Sequence, residues 1–561
     1  MKLFVPVVLS LLSAFALAQN PQSAETTSSR VDAVFKKMDS TVSPGCALSV
    51  MKDGKIIYER GYGMADLDHN IPITPGTVFH VASMSKQFTA ASIILLAQQG
   101  KLSLDDPVRK YIPELPDFGT PITIRQLIHH TSGLRDQWSL LGLDGWRYSL
   151  DLITDDDVLY VISHQKELNY PPGTKELYSN TGYTLLAQIV KRLSRESFRD
   201  FTSAHIFQPL NMPSTHFRDD HAEIVKNIAY GYEPSKDTYR ISITNFDTVG
   251  ATSLMTTVQD LAHWDENFYD PRVGGQALIN QLLERGKLNN GEQIDYASGL
   301  VIGTYRGLKT VDHAGADAGY RSDMIRFPDQ HFSSACLCNL ATANPSELNR
   351  KVADIYMAKE MKPAEPAHAD DVKAVQLKPE QLKSRAGLYV NPDENVIRVS
   401  IKDDKLQIGW GTGEESYELK ALSETRFRLL IAPVNFTFDD AKGADPVKLT
   451  LQPDNGTPDV FASVPSFAPS EADLKSYTGI YSSPELDPLY DIRLEDARLV
   501  LHRLKNKPDT LMPVTRDFFV ASVGSIRFTR DSQNQITGFA LGTGRIRNLR
   551  FIKGRPAIPA Q

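Results

Sequence analysis

"VFHVASMSKQFTAASIILLAQQG", from Val78 to Gly100, carries Ser83-Met84-Ser85-Lys86 at the entrance to a long apolar run. That run predicts a buried helix, closing at Gly100, where a left-handed cap suits glycine. Ser83 and Lys86 then stand one turn apart on the same face. A helix N-terminus offers free backbone N–H groups and a positive dipole end, which favour developing negative charge. In a partly desolvated cleft a lysine loses basicity, and a serine within its reach meets the requirement for an activated nucleophile. Taken alone, the same four residues favour a plain N-cap and a surface lysine.

The chain holds two more copies of the spacing, Ser49-x-x-Lys52 and Ser163-x-x-Lys166. The first lies in a strand, where residues three apart face opposite ways. The second runs into Pro171-Pro172 through polar sequence and reads as solvated surface. Two further groups join Ser83. Tyr178-Ser179-Asn180 stands at the mouth of the helical stretch "NTGYTLLAQIVKRLS", and His313-Ala314-Gly315 lies in the strand-like "TVDHAGADAGY". A second Tyr-x-Asn, Tyr389-Val390-Asn391, falls in a different part of the chain.

Around these motifs the segments mix. "GCALSVMKDGKIIYERGYG" alternates about Asp53-Gly54 and predicts a β-hairpin. "TIRQLIHH" reads as a helix, "HFSSACLCNLA" as a strand, and residues 31–357 as one large α/β domain. Residues 358–376, rich in Ala, Pro and charge, read as a linker. Short alternating strands follow, and they repeat: Gly387-Leu388-Tyr389 returns as Gly479-Ile480-Tyr481, 92 residues on. Residues 377–466 and 467–555 are therefore expected to be two antiparallel β-domains, small barrels.

With 561 residues the chain exceeds what one core holds, so several domains are expected. A net charge of -7 gives no electrostatic reason for a nucleic-acid partner. Lys2, a short apolar stretch and Ala16-Leu17-Ala18 predict a signal peptide over residues 1–18, with a flexible polar lead-in over 19–30. The expected product is an exported, periplasmic or extracellular protein with no membrane span after cleavage. Cys46, Cys336 and Cys338 are too few for a disulfide framework, and the last two are poorly placed to bridge each other. Buried small apolar residues are expected there, with a three-cysteine metal site as the alternative. His129-His130 is assigned a structural role, and no other metal-ligand spacing is present, so neither metal nor cofactor is expected.

Ser-x-x-Lys, Tyr-x-Asn and His-x-Gly, in that order, resemble the penicillin-recognising serine hydrolases, which include class C β-lactamases, D-alanyl-D-alanine carboxypeptidases, D-aminopeptidases and related esterases. The flanks "FHVASMSKQFTAASIILLAQQGKLSLDDPV", "TIRQLIHHTSGL" and "LYSNTGYTLLAQIV" resemble them too. The resemblance spans about Val31 to Met357. It implies a β-lactamase/penicillin-binding-protein-like α/β (α+β) catalytic domain. Within it Ser83 forms an acyl-enzyme, and Lys86 and Tyr178 share the base role, the phenol made more acidic by the ammonium. Asn180 orients Lys86 and contacts the substrate amide. The N–H groups of Ser83 and Ala316 hold the oxyanion, and Gly315 lets the substrate backbone approach its strand.

His313 departs from the Lys-Thr-Gly of β-lactamases and carboxypeptidases in this group, whose lysine helps hold a substrate carboxylate. A histidine there shifts the expectation toward D-aminopeptidase-like or esterase-like relatives. A hydrolase domain followed by two small barrels is likewise similar to the D-aminopeptidase architecture, which implies that the last domain narrows the active site. The expected substrate is a small molecule or peptide, cell-wall-derived peptides among them, and best a peptide with a D-residue. β-Lactamase, carboxylesterase and an inactive cell-wall-peptide-binding protein are the alternatives.

Overall fold

The computed structural model describes residues 26–554 except 364–373, 414, 430–431, 433, 440–445 and 454–456. The expected signal peptide lies outside the described residues, as does most of the expected linker. The lead-in expected over 19–30 is corrected where it is described. From Thr27 it is a helix, Thr27–Phe35, whose first turn is capped by the Thr26 hydroxyl, and Val31 and Phe35 are buried.

The catalytic domain is built on one antiparallel sheet of six strands. In order across the sheet they are Val301–Tyr305, Leu308–Asp317, Tyr320–Phe327, Phe332–Cys338, Cys46–Lys52 and Lys55–Tyr62. The early hairpin turns at Asp53 and Gly54, both at positive φ (52° and 73°), as a tight two-residue turn requires. It joins the late strands by pairing Cys46–Lys52 with Phe332–Cys338. Helices Thr27–Phe35 and Pro345–Tyr356 cover one face, contributing Val31, Phe35, Leu348 and Val352 to a common core.

On the helical side runs Ser85–Gln98, buried from Ser85 to Leu96. Burial on all sides is why its sequence shows no polar stripe. It ends before Gly100 at φ +71°.

That strand pairing corrects the reading of Cys46 and Cys338, while Cys336 is the buried unpaired residue expected. Cys46 and Cys338 face each other in register and form a disulfide across 292 residues of sequence. Cys336 is free and buried. In the disulfide form two of the three sulfurs are not available as thiolates, although the three lie within 4.8 Å of one another.

After the catalytic domain come two closed antiparallel barrels of eight strands, Gly387 to Val464 and Gly479 to Lys553. The Gly-x-Tyr repeat has a structural cause. Gly387 and Gly479 stand at φ +151° and +142°, a region closed to other residues. The Tyr389 hydroxyl donates to the Arg385 carbonyl and the Tyr481 hydroxyl to the Tyr477 carbonyl, each four residues back. Among the described residues no helix is long and apolar enough to cross a membrane.

The second barrel docks on the catalytic domain. Arg135 and Glu485 form an ion pair with side chains 0% and 1% exposed. The Tyr490 hydroxyl donates to the Leu143 carbonyl, and the buried apolar cluster runs from the domain into the barrel. The first barrel packs on the second through Val396, Val514, Phe518 and Val520, with the Glu394–Arg527 pair beside them.

Candidate active site

Ser83 sits in the one-turn 3-10 segment Ala82–Met84 that feeds the buried helix. Ala82 has φ +49°, a left-handed conformation that costs a non-glycine residue roughly 1–3 kcal/mol. Neighbours hold it there: Val81 N–H donates to the Leu254 carbonyl at 3.0 Å, and the Ser322 hydroxyl to the Val81 carbonyl at 2.7 Å. Gly315 explains itself in the same place. A Cβ on it would come within 2.3 Å of the Val81 oxygen and 3.0 Å of the Ser83 nitrogen. The expectation that Gly315 makes room for substrate is corrected: it makes room for the chain's own nucleophile turn.

Lys86 is fully buried, and its Nζ has three neighbours. Ser83 Oγ lies at 3.0 Å, Asn180 Oδ1 at 2.8 Å and the Ala251 carbonyl at 2.7 Å. The amide of Asn180, first residue of the helix Asn180–Ser194, is oriented by Asp136: its Nδ2 and backbone N–H both donate to Asp136 Oδ2 at 2.8 Å. A carboxylate only accepts, so the amide oxygen must face Lys86. Burial lowers the Lys86 pKa to about 7, with Asp317 and Asp136 opposing and Arg545 assisting. The neutral amine then gives its two hydrogens to Asn180 and Ala251, which only accept, and turns its lone pair to the Ser83 hydroxyl.

Tyr178 lines the same cleft, its ring 4.2 Å from His130 and 4.9 Å from Lys86 Nζ. The expectation of an acidified phenol is corrected. Burial raises the Tyr178 pKa, and Ser83 and Arg545 only partly offset it. The phenol stays protonated near pH 7 and is a proton donor before it is a base. His130 packs against Tyr178, and its Nδ1 accepts from Ser179 N–H at 3.2 Å.

His313 is buried, and burial, then Lys86, lowers its pKa to about 3. Nδ1–H donates to the Ala314 carbonyl at 2.7 Å, which leaves Nε2 to accept from the Tyr296 hydroxyl at 3.1 Å. It brings no charge to the site. Beyond it, pairing with the edge strand Val301–Tyr305 stops at Asp312, so residues 313–317 form an open strand edge on the cleft. Ala316 is exposed there. Ser83, Tyr178, Asn180, His313, Gly315 and Ala316 line one cavity of about 630 Å³, with Lys86 behind Ser83.

The two spare Ser-x-x-Lys copies are elsewhere. Ser49 is buried and donates to the Val258 carbonyl, and Ser163 is a partly buried helix-end residue bonded to the Tyr160 carbonyl. Sequence reasoning did not reach Asp136, Ala251, Tyr296 or Arg545. Asp136 had a signal, as the cap of the helix Gln137–Leu143. It also missed a cluster at the end of the open strand: Asp317 accepts from Tyr148 and Thr252 and pairs with His80 at 3.0 Å.

The chain matches the family model described as Beta-lactamase over residues 31–358. It belongs to the beta-lactamase family and is a serine hydrolase. It is 30% identical over 406 residues to penicillin-binding protein 4* of Bacillus subtilis (strain 168), covering 69% of this chain and 88% of that one. Protein flp of Staphylococcus aureus (strain MW2) is 30% identical over 310 residues, 53% of this chain and 60% of that one. The octameric penicillin-binding protein homologue from Pyrococcus abyssi shares the fold, with TM-score 0.55 and 23% identity over 78% of this chain and 99% of that one.

Proposed function

We propose that this protein is exported and cleaves amide or ester bonds of peptides containing D-amino acids through a Ser83 acyl-enzyme. The carrying observation is the three-way contact of Lys86 Nζ with Ser83 Oγ, Asn180 Oδ1 and the Ala251 carbonyl. Neutral Lys86 takes the hydroxyl proton as Oγ attacks the substrate carbonyl. The N–H groups of Ser83 and Ala316 hold the oxyanion, each such donor worth about 3 kcal/mol in the transition state. Protonated Tyr178 gives its proton to the leaving group and recovers one from the Lys86 ammonium. Water then cleaves the acyl-enzyme by the same groups in reverse.

Neutral His313 supports substrates without a carboxylate at that strand, and the two barrels are similar to the D-aminopeptidase architecture. Export is supported by the signal-like N-terminus and by the Cys46–Cys338 disulfide, a bond that persists in oxidising compartments. A fluorophosphonate probe with intact-mass readout tests the nucleophile: one adduct is expected on the wild type and none on Ser83→Ala. Equal labelling of both chains would overturn the assignment. D-alanine p-nitroanilide is expected to outrun nitrocefin and p-nitrophenyl acetate in kcat/KM relative to their uncatalysed rates. Efficient turnover of nitrocefin alone makes the protein a β-lactamase instead.

A further inference from the structure

The last hairpin of the second barrel enters the catalytic cleft. Its strands, Ile536–Thr543 and Ile546–Lys553, are joined by Gly544 and Arg545, and Arg545 lines the same cavity as Ser83. Its guanidinium carbon stands 4.6 Å from the centre of the Tyr178 ring.

The hairpin is clamped on both sides of that residue. Asn169 Nδ2 donates to the Arg545 carbonyl at 2.9 Å, and Asn169 Oδ1 accepts from Arg547 N–H at 2.7 Å. Arg135, held by Glu485 and Gln165, donates to the carbonyls of Arg547 and Asn548. So many backbone contacts fix where the tip lies. They hold the backbone and do not use the Arg545 guanidinium.

Among the described residues the Arg545 guanidinium makes no hydrogen bond. Its nearest carboxylate oxygen is Asp136 Oδ2, at 3.7 Å. Asp136 also accepts four N–H groups, from Asn180 twice and from Trp138 and Ser139. The other arginines of the cleft are engaged: Arg350 with Asp312 at 2.9 Å, Arg321 with the carbonyls of Ala318 and Tyr320. Lys86 spends its contacts on Ser83, Asn180 and Ala251, and His313 donates only to its neighbour's carbonyl. Arg545, with 42% of its side chain exposed, keeps a long ion pair to Asp136 and a stacking contact on Tyr178, and among the described residues it is the cleft cation whose N–H donors make no hydrogen bond.

Resting on the serine-hydrolase reading, we infer that Arg545 is a specificity-determining residue that receives a carboxylate of the substrate. A planar guanidinium with free N–H donors matches a carboxylate two bonds at a time. The second barrel thus supplies a carboxylate-binding cation to an active site built by another domain. The substrate class becomes anionic peptides or esters, their acid lying on the Tyr178 side of the cleft.

The test compares kcat/KM for p-nitrophenyl adipate against p-nitrophenyl hexanoate, which place a carboxylate or a methyl at the end of the acyl chain. A second pair, 3-acetoxybenzoate against phenyl acetate, places it on the leaving group. In at least one pair the wild type is expected to favour the anion by about tenfold, the worth of a charge-assisted contact at a half-exposed site. Arg545→Ala brings that ratio toward 1, Arg545→Glu inverts it, and Arg545→Lys retains part of it. A wild type that hydrolyses the esters with ratios near 1, or ratios unmoved by Arg545→Ala, overturns the inference while the hydrolase reading stands. A chain that turns over none of the four esters and takes no fluorophosphonate sinks both.

Discussion

The two barrels share a strand count, a closed topology and the same Gly-x-Tyr start, yet they are used differently. The second is joined to the catalytic domain by a buried ion pair and continuous apolar packing, and it puts a side chain into the cleft. The first has its own core and meets the second through a small apolar patch and a half-exposed ion pair. Duplication supplied two copies of one scaffold. Which copy reaches the catalytic cleft is set by a few side chains at its contact face and by one hairpin tip.

Cutting the contacts one at a time should show how unequally the two barrels are held. Glu485→Ala leaves Arg135 buried without its counter-charge, and about 3 kcal/mol of stability is expected to be lost. The urea midpoint reads the loss. Protease cleavage between the catalytic domain and the second barrel should accelerate in the same variant. Val396→Ala at the barrel–barrel patch removes two methyl groups from a packed site and should cost about 1–2 kcal/mol. The acylation rate of Ser83 by a small ester should not follow that loss. Glu394→Ala breaks a pair whose side chains are 32% and 45% exposed, and less than about 1 kcal/mol is expected, shrinking further in high salt. If Glu394→Ala costs as much as Glu485→Ala, the two barrels are not the unequal partners described above.

Much of this molecule was legible in its sequence because the informative patterns are local. The apolar run after Lys86 announced a buried helix, and strand alternation ruled out Ser49-x-x-Lys52. The repeat of Gly387 and Tyr389 as Gly479 and Tyr481 announced two domains, because a glycine-only φ and a tyrosine bond four residues back are set within one short segment.

What was missed depends on contacts between distant segments. The disulfide needs Cys46–Lys52 to pair with a strand nearly 300 residues on, a register invisible beside the nearer Cys336–Cys338 spacing. Gly315 was assigned to substrate because the turn at Ala82, which occupies that space, comes from another part of the chain. The direction of the Tyr178 shift was misjudged because a neighbouring ammonium is visible in a motif and burial is not. Arg545 belongs to no motif and gains meaning only from where the second barrel docks.

Lys86, made a weak base by burial, is expected to activate Ser83. The pH dependence of kcat/KM for p-nitrophenyl acetate tests it most directly. The ammonium cannot take the serine proton, so activity should rise as pH climbs through about 7, the value at which Lys86 gives up its proton. Lys86→Met should lower it by roughly 100-fold or more and flatten that limb. A wild-type profile flat from pH 5 to 9, or one that keeps its rise in Lys86→Met, would contradict the account.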